Sequence, residues 1–146
     1  MIVENKKARF DYEVIEDFES GIVLSGAEVK SVRDGGATML GARVIFEEDG
    51  AYLIGLNIAK YKFDSAEEYI PDKKRKLLLH KKEIIEIHTK MRSAGLTVVP
   101  MTMYNKGSLV KVKIALVRGK KKFEKREILK KRESQLGLAR RLKLTN

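Results

Sequence analysis

The chain has no cysteine and only two prolines in 146 residues. Without cysteine there is neither a disulfide framework nor a thiolate metal site, so stability has to come from an apolar core, and nothing argues for an oxidising compartment. No run approaches the ~18 consecutive apolar residues that a membrane span needs. The opening MIVENKKARF offers only Ile2 and Val3 before charge begins, so a soluble, untargeted, cytoplasmic protein is expected. Also missing are a Gly-rich phosphate loop ending in Lys-Ser/Thr, a G-x-S-x-G elbow and a histidine pair at metal spacing with a third ligand. The two histidines, His80 and His88, stand eight apart. A ribonuclease-like pair is the acid–base arrangement they allow, against the plainer reading of a packed core residue. The expectation is therefore no enzyme, no cofactor and no metal.

What the chain does have is positive charge, unevenly spread. Residues 118–146, RGKKKFEKREILKKRESQLGLARRLKLTN, hold 12 Lys/Arg against 3 Asp/Glu and carry a net charge of +9. The preceding 117 residues hold 19 against 17, which leaves only +2 of the chain's +11. A cationic arm on a nearly neutral body points to a polyanion as partner. The length fits one domain able to bury roughly 68–70% of its extended surface, and the one break in composition, near Arg118, divides a body, 1–117, from a tail, 118–146.

Along the body, Asp11 to Leu24 is rich in β-branched and aromatic residues and reads as one long bent strand, with Gly21 at a bulge or bend. Ser25-Gly-Ala-Glu28 fits a capping box and opens a short helix that Asp34-Gly35-Gly36 stops. Arg43 to Phe46 and Ala51 to Ile58 flank Glu47-Glu48-Asp49-Gly50 as a hairpin. Tyr61 to Asp72 has no period and reads as a loop. From Lys81 to Ala94, Ile84, Ile85, His88 and Met91 recur at helical spacing, with Gly95 as the terminating residue. Leu96 to Tyr104 and Leu109 to Val117 form a second hairpin, half exposed, in which Pro100 marks an edge or bulge. About six antiparallel strands with two or three helices, lacking any sustained β-helix-β alternation, predict a mainly β protein built as a small closed or partly closed barrel.

In the tail, Lys120, Lys121, Lys122, Lys125, Arg126, Lys130, Lys131 and Arg132 can each meet a phosphate, and Phe123 offers a surface for stacking a base. Repulsion among these cations, with Gly137 in their midst, makes a free helix marginal. Disorder alone and helix on phosphate is the expectation, rather than a helix docked on the body through Ile128, Leu129 and Leu136.

Five ordered blocks then carry a resemblance: NKKARFDY (from Asn5), FESGIVLSGAEVKSVR (from Phe18), RKLLLHKKEI (from Arg75), GLTVVPMTMY (from Gly95) and GKKKFEKR (from Gly119). Together they resemble the signature blocks of the SsrA-binding, or small protein B, family across nearly the whole chain. The resemblance implies an oligonucleotide-binding-type barrel that holds the tRNA-like domain of transfer-messenger RNA and accompanies it, with elongation factor Tu, to stalled ribosomes. It also implies a basic tail that enters the decoding centre and the empty message channel. Asn5, Glu19 and Leu78 match family positions linked to holding that RNA. Lys6, Lys7, Arg9, Lys30, Arg33, Arg75 and Lys76 are wider expectations for backbone contacts. Gly119, Lys120, Lys121, Phe123, Lys125 and Arg126 match the decoding-centre block. Phe10 and Glu124 depart from the family's usual His and Asp, and the stretches 37–42 and 61–72 depart most. No dimerisation stripe is visible, so a monomer is expected. The alternative is a general basic ribosomal or RNA-chaperone protein with the same kind of fold.

Overall fold

Asn5 is where the chain first turns. In the computed structural model, which describes residues 2–65 and 67–119, it ends β1 (Ile2–Glu4) and caps α1 (Lys6–Asp11), its Oδ1 accepting from the Ala8 N–H at 3.2 Å. Its Nδ2 donates to the Pro100 carbonyl at 2.9 Å and its own N–H to the Met101 carbonyl at 2.9 Å. The basic stretch that follows Asn5 is thus a capped helix.

The long strand follows as β2 (Tyr12–Ile22), bent by a register shift between Val14 and Glu16 rather than at Gly21. The Ser25 capping box forms as the sequence predicts, and α2 (Gly26–Arg33) buries Val32. The pair β3 (Ala37–Thr38) and β6 (Asn57–Ile58) makes a small separate sheet, so the second run of the first hairpin breaks at Gly55. That hairpin is β4 (Arg43–Glu47) and β5 (Gly50–Ile54), closed by Glu48 and Asp49. After the loop come β7 (Arg75–Leu78) and α3 (Lys81–Ala94), which ends at Gly95 in the left-handed conformation, φ 63°, where a side chain would be strained. The second hairpin, β8 (Thr97–Lys106) and β9 (Leu109–Gly119), turns on Gly107 and Ser108 and carries the bulge foreseen at Pro100.

Seven strands form one antiparallel sheet in the order β1-β8-β9-β2-β7-β5-β4. It curls until β4 lies against β8. Among the described residues no ladder joins that pair, so the expected closed barrel is corrected to a curled sheet with two ends. The physical reason sits on β8. Pro100 has no N–H to offer, and the carbonyls of Pro100 and Met101 are already taken by Asn5.

The concave side holds the core: Val44, Leu53, Leu77, Met103, Val112, Ile114 and Leu116, closed by Ile87 of α3. The helix therefore turns Ile87 inward, while Ile85 is exposed. A second, smaller cluster of Ala8, Val99, Met101, Ala115 and Val117 lies on the opposite face, under α1. The hairpin expected to be half exposed is covered on both faces there, which is why 114–117 reads as unbroken burial.

Candidate nucleic-acid interface

On β9, Lys111, Lys113, Ala115 and Val117 point away from the main core, opposite Val112, Ile114 and Leu116. Burial under α1 uses the Ala115 and Val117 end of this outer face. Toward Lys111 the face opens. The register sets Glu19, Lys113 and Thr102 in one row, then Gly21, Lys111 and Tyr104 in the next, with Leu78 opposite Gly21 on β7.

Gly21 leaves room for Leu78: a Cβ on it would come 3.0 Å from the Leu78 Cβ and 3.3 Å from its Cδ1, so the leucine would have to shift by a few tenths of an ångström. Leu78 is 56% exposed, a large apolar side chain offered to solvent rather than to the core. Beside it a groove of about 580 Å³ is lined by Glu19, Lys76, Leu78, His80, Glu83 and Lys111, with other residues.

Glu19 is held in place. The Tyr104 hydroxyl donates to its Oε2, and Lys106 Nζ bonds its Oε1 at 3.1 Å. The tyrosine, then the lysine, hold the Glu19 carboxyl below its ordinary value. Burial and the adjoining carboxylate push the Tyr104 phenol up to about 12. The pair is thus one ionised acceptor and one neutral donor at neutral pH.

The other expected contacts fall into separate places. Lys6, Lys7 and Arg9 lie exposed on α1, and Lys7 lines a cleft of about 350 Å³ with Tyr12, Arg43 and Thr97 among others. Arg9 also lies 3.6 Å from Glu4. Asn5, by contrast, is buried at 5% exposure and committed to backbone partners. Lys30 and Arg33 sit on α2, where Arg33 donates to the Ser108 carbonyl at 3.0 Å and Lys30 stands 5.7 Å from the Tyr61 ring.

Arg75 requires a correction. The run of four cations at 73–76 suggests a phosphate contact, but strand alternation turns Arg75 inward to 2% exposure. It bonds Glu28 through Nε at 2.9 Å and reaches the carbonyls of Leu56, Lys73 and Pro71. A guanidinium so fully occupied is unavailable to RNA in this structure. Gly119 is the last described residue of β9, next to Arg118, which pairs with Glu13 at 2.6 Å. The tail expectations, Lys120, Lys121, Lys122, Phe123, Lys125, Arg126, Lys130, Lys131 and Arg132, lie outside the described residues, as does the boundary's functional meaning.

Sequence reasoning missed Tyr104, Lys106, Lys111 and Lys113. The alternation of Lys111 and Lys113 with valines was legible and marks an open strand face. Nothing local joins Tyr104 to Glu19, 85 residues away. His80 precedes α3, its N–H donating to Glu83 at 3.1 Å, while His88 packs 5.3 Å from the Phe46 ring. They do not form a pair.

A small antiparallel β-protein that presents cations, an exposed leucine and an oriented carboxylate on one open sheet face has the design of a nucleic-acid-binding module. Comparison with known proteins then narrows that class. The family model described as SmpB protein matches residues 2–144, and the chain belongs to that family. It is 44% identical to the SsrA-binding protein of Geotalea uraniireducens (strain Rf4), over all of this chain and 97% of that protein. It is 45% identical to the SsrA-binding protein of Sulfurihydrogenibium sp. (strain YO3AOP1), over 91% of this chain and 88% of that one. Among solved structures it resembles a chain described as "tmRNA-SmpB: a journey to the center of the bacterial ribosome", at 44% identity and a TM-score of 0.69, covering 83% of this chain and 85% of the other.

Proposed function

We infer that the protein is the RNA-binding factor of trans-translation, which binds transfer-messenger RNA (SsrA) and serves the rescue of stalled ribosomes. The observation that carries this reading is the family match over residues 2–144, and the open sheet face that exposes Leu78 and lysines is consistent with it. Its work is binding, in the cytoplasm where ribosomes translate.

The finer reading assigns parts. The outer sheet face around Glu19, Lys76 and Leu78, together with Lys6, Lys7 and Arg9 of α1, holds the tRNA-like domain. Lys30 and Arg33 supply further backbone contacts from α2. Asn5 acts through the helix it caps. The curl that brings β4 against β8 supports a partly open sheet of the oligonucleotide-binding type, unclosed between those two strands. The part of the basic segment 118–146 that follows the last strand residue Gly119, with Phe123 among its cations, enters the decoding centre and message channel and becomes helical there. The protein acts as a monomer and travels with elongation factor Tu.

The deciding experiment is competition binding of the full chain between the isolated tRNA-like domain and bulk transfer RNA. A clear preference for the tRNA-like domain is expected. Equal binding to both would mark a general RNA chaperone instead.

A further inference from the structure

Four clefts in the surface each carry at least one lysine: Lys7 in the one beside α1, Lys76 in the one beside Leu78, Lys113 and Lys6 in two others. A further cleft, between the end of β4 and the first half of α3, has no Lys or Arg in its lining. It holds about 590 Å³, with Phe46, Ile84, Ile85 and His88 as its floor and the carboxylates of Glu47 and Glu48 at its rim. The His88 ring lies 5.3 Å from that of Phe46, which packs on the main core. Because α3 turns Ile87 into that core, Ile85 is left 57% exposed, an apolar surface that the fold itself does not use. Glu47 shares its charge with Lys74, whose Nζ lies 2.9 Å from both of its oxygens. Glu48 has no ion-pair or hydrogen-bond partner among the described residues.

We propose that this cleft docks a Lys/Arg-rich segment of a ribosomal protein, which seats an apolar side chain between Phe46 and Ile85 and sets a cation against Glu48. The proposal rests on the reading that the protein works on the ribosome, an assembly in which basic protein segments run through RNA. Charge selects between the two kinds of partner found there. Two carboxylates with no cation between them repel phosphate, and an apolar floor offers it no donor. A cationic segment with an apolar anchor is matched on both counts, the anchor filling the centre and the charge closing the rim. Both walls are set before any partner arrives. The ladder with β5 fixes β4, and Lys90 ties α3 to β2 by its 2.7 Å bond to Glu16, so docking demands little rearrangement.

The test uses the full chain, transfer-messenger RNA and purified stalled ribosomes, and it turns first on a sign. Glu48→Lys should weaken binding of the protein–RNA complex to ribosomes roughly threefold at low salt, whereas RNA lying on the cleft would be held more tightly by the new cation. Ile85→Glu, at an exposed position, should weaken ribosome binding about tenfold and leave both the melting temperature and the affinity for the isolated tRNA-like domain unchanged. A benzophenone side chain in place of Ile85, irradiated in the stalled complex, should cross-link to a ribosomal protein at a segment rich in Lys and Arg. Tighter ribosome binding by Glu48→Lys, or a cross-link to RNA, overturns the protein partner in favour of RNA. A cross-link to residues 120–146 overturns it in favour of the chain's own tail. If the native chain binds the tRNA-like domain and stalled ribosomes, both variants match it and no cross-link forms, the cleft is unoccupied and this proposal fails while the functional reading stands. If the native chain binds neither, the functional reading fails and the proposal falls with it.

Discussion

At the residue scale, two cations at adjacent positions do opposite work. Lys76 is exposed at the groove, whereas Arg75 beside it is sealed against Glu28 with a 2.8 Å ion pair, both partners almost fully buried. Burial alone would raise the Glu28 carboxyl. The Ser25 N–H and the charges of Arg75 and Lys73 more than offset this and hold it below its ordinary value of 4.5. A depressed carboxyl contributes stability above its unfolded value and loses it as pH falls through the folded one. Urea unfolding midpoints should accordingly drop on acidification below about pH 4.5, with a shallower fall in Glu28→Gln. Arg75→Ala, which strands Glu28 in the interior, should cost about 3–5 kcal/mol in the same assay. Leu78→Ala should behave the other way round. Its side chain is exposed, so the unfolding midpoint should hardly move, while affinity for the tRNA-like domain falls by about 1–3 kcal/mol if a base stacks on it.

At the element scale, α1 shows how a segment too short to be helical alone is made to fold. Six residues are far below the length at which a helix persists in water. It is held by the Asn5 cap at one end and by Ala8 packing on Val99, Met101, Ala115 and Val117 beneath. Asn5→Ala removes the cap and leaves the Pro100 carbonyl without its donor, a loss of about 1–3 kcal/mol. Hydrogen exchange of the α1 amides should rise well before that of β8 and β9 does. RNA affinity should fall with it, because Lys6 and Lys7 depend on the helix for their direction. Unchanged exchange at Ala8 would refute the cap's role. The capping box of α2 and the Gly95 terminus of α3 were legible beforehand because each depends on residues within a few positions of one another. The six-residue α1 was not, since its cap to Ala8 is reinforced by bonds from Asn5 to Met39, Pro100 and Met101, which come from distant parts of the chain.

At the scale of the molecule, charge is unevenly divided, with +9 of the net +11 on residues 118–146. Removal of residues 120–146, after the last strand residue Gly119, should leave a protein that melts cooperatively and still binds the tRNA-like domain, while tagging on stalled ribosomes is lost. Normal tagging by the truncated chain would overturn the assignment of the tail. Its salt dependence should also change. The slope of log affinity against log salt should fall by about 0.7 to 0.9 for each phosphate the tail neutralises, and remain unchanged if the tail touches none. The sheet also answers why closure fails. One edge of β8 is paired with β9, and the other meets β1 at 102–104 and Asn5 at the Pro100 and Met101 carbonyls, so β4 packs against it without a ladder.

Local order was decided by the sequence alone: the capping box, the hairpin turns, the alternation on β9 and the crowding of cations beyond Arg118 all depend on neighbours along the chain. Which lysine or arginine meets solvent, and which carboxylate is held by a distant partner, was decided by tertiary structure. Glu28 with Arg75 and Glu19 with Tyr104 are pairings across 47 and 85 residues. Such pairings exist only once the strands register, because hydrogen bonds and ion pairs act over a few ångströms that the unfolded chain never holds fixed.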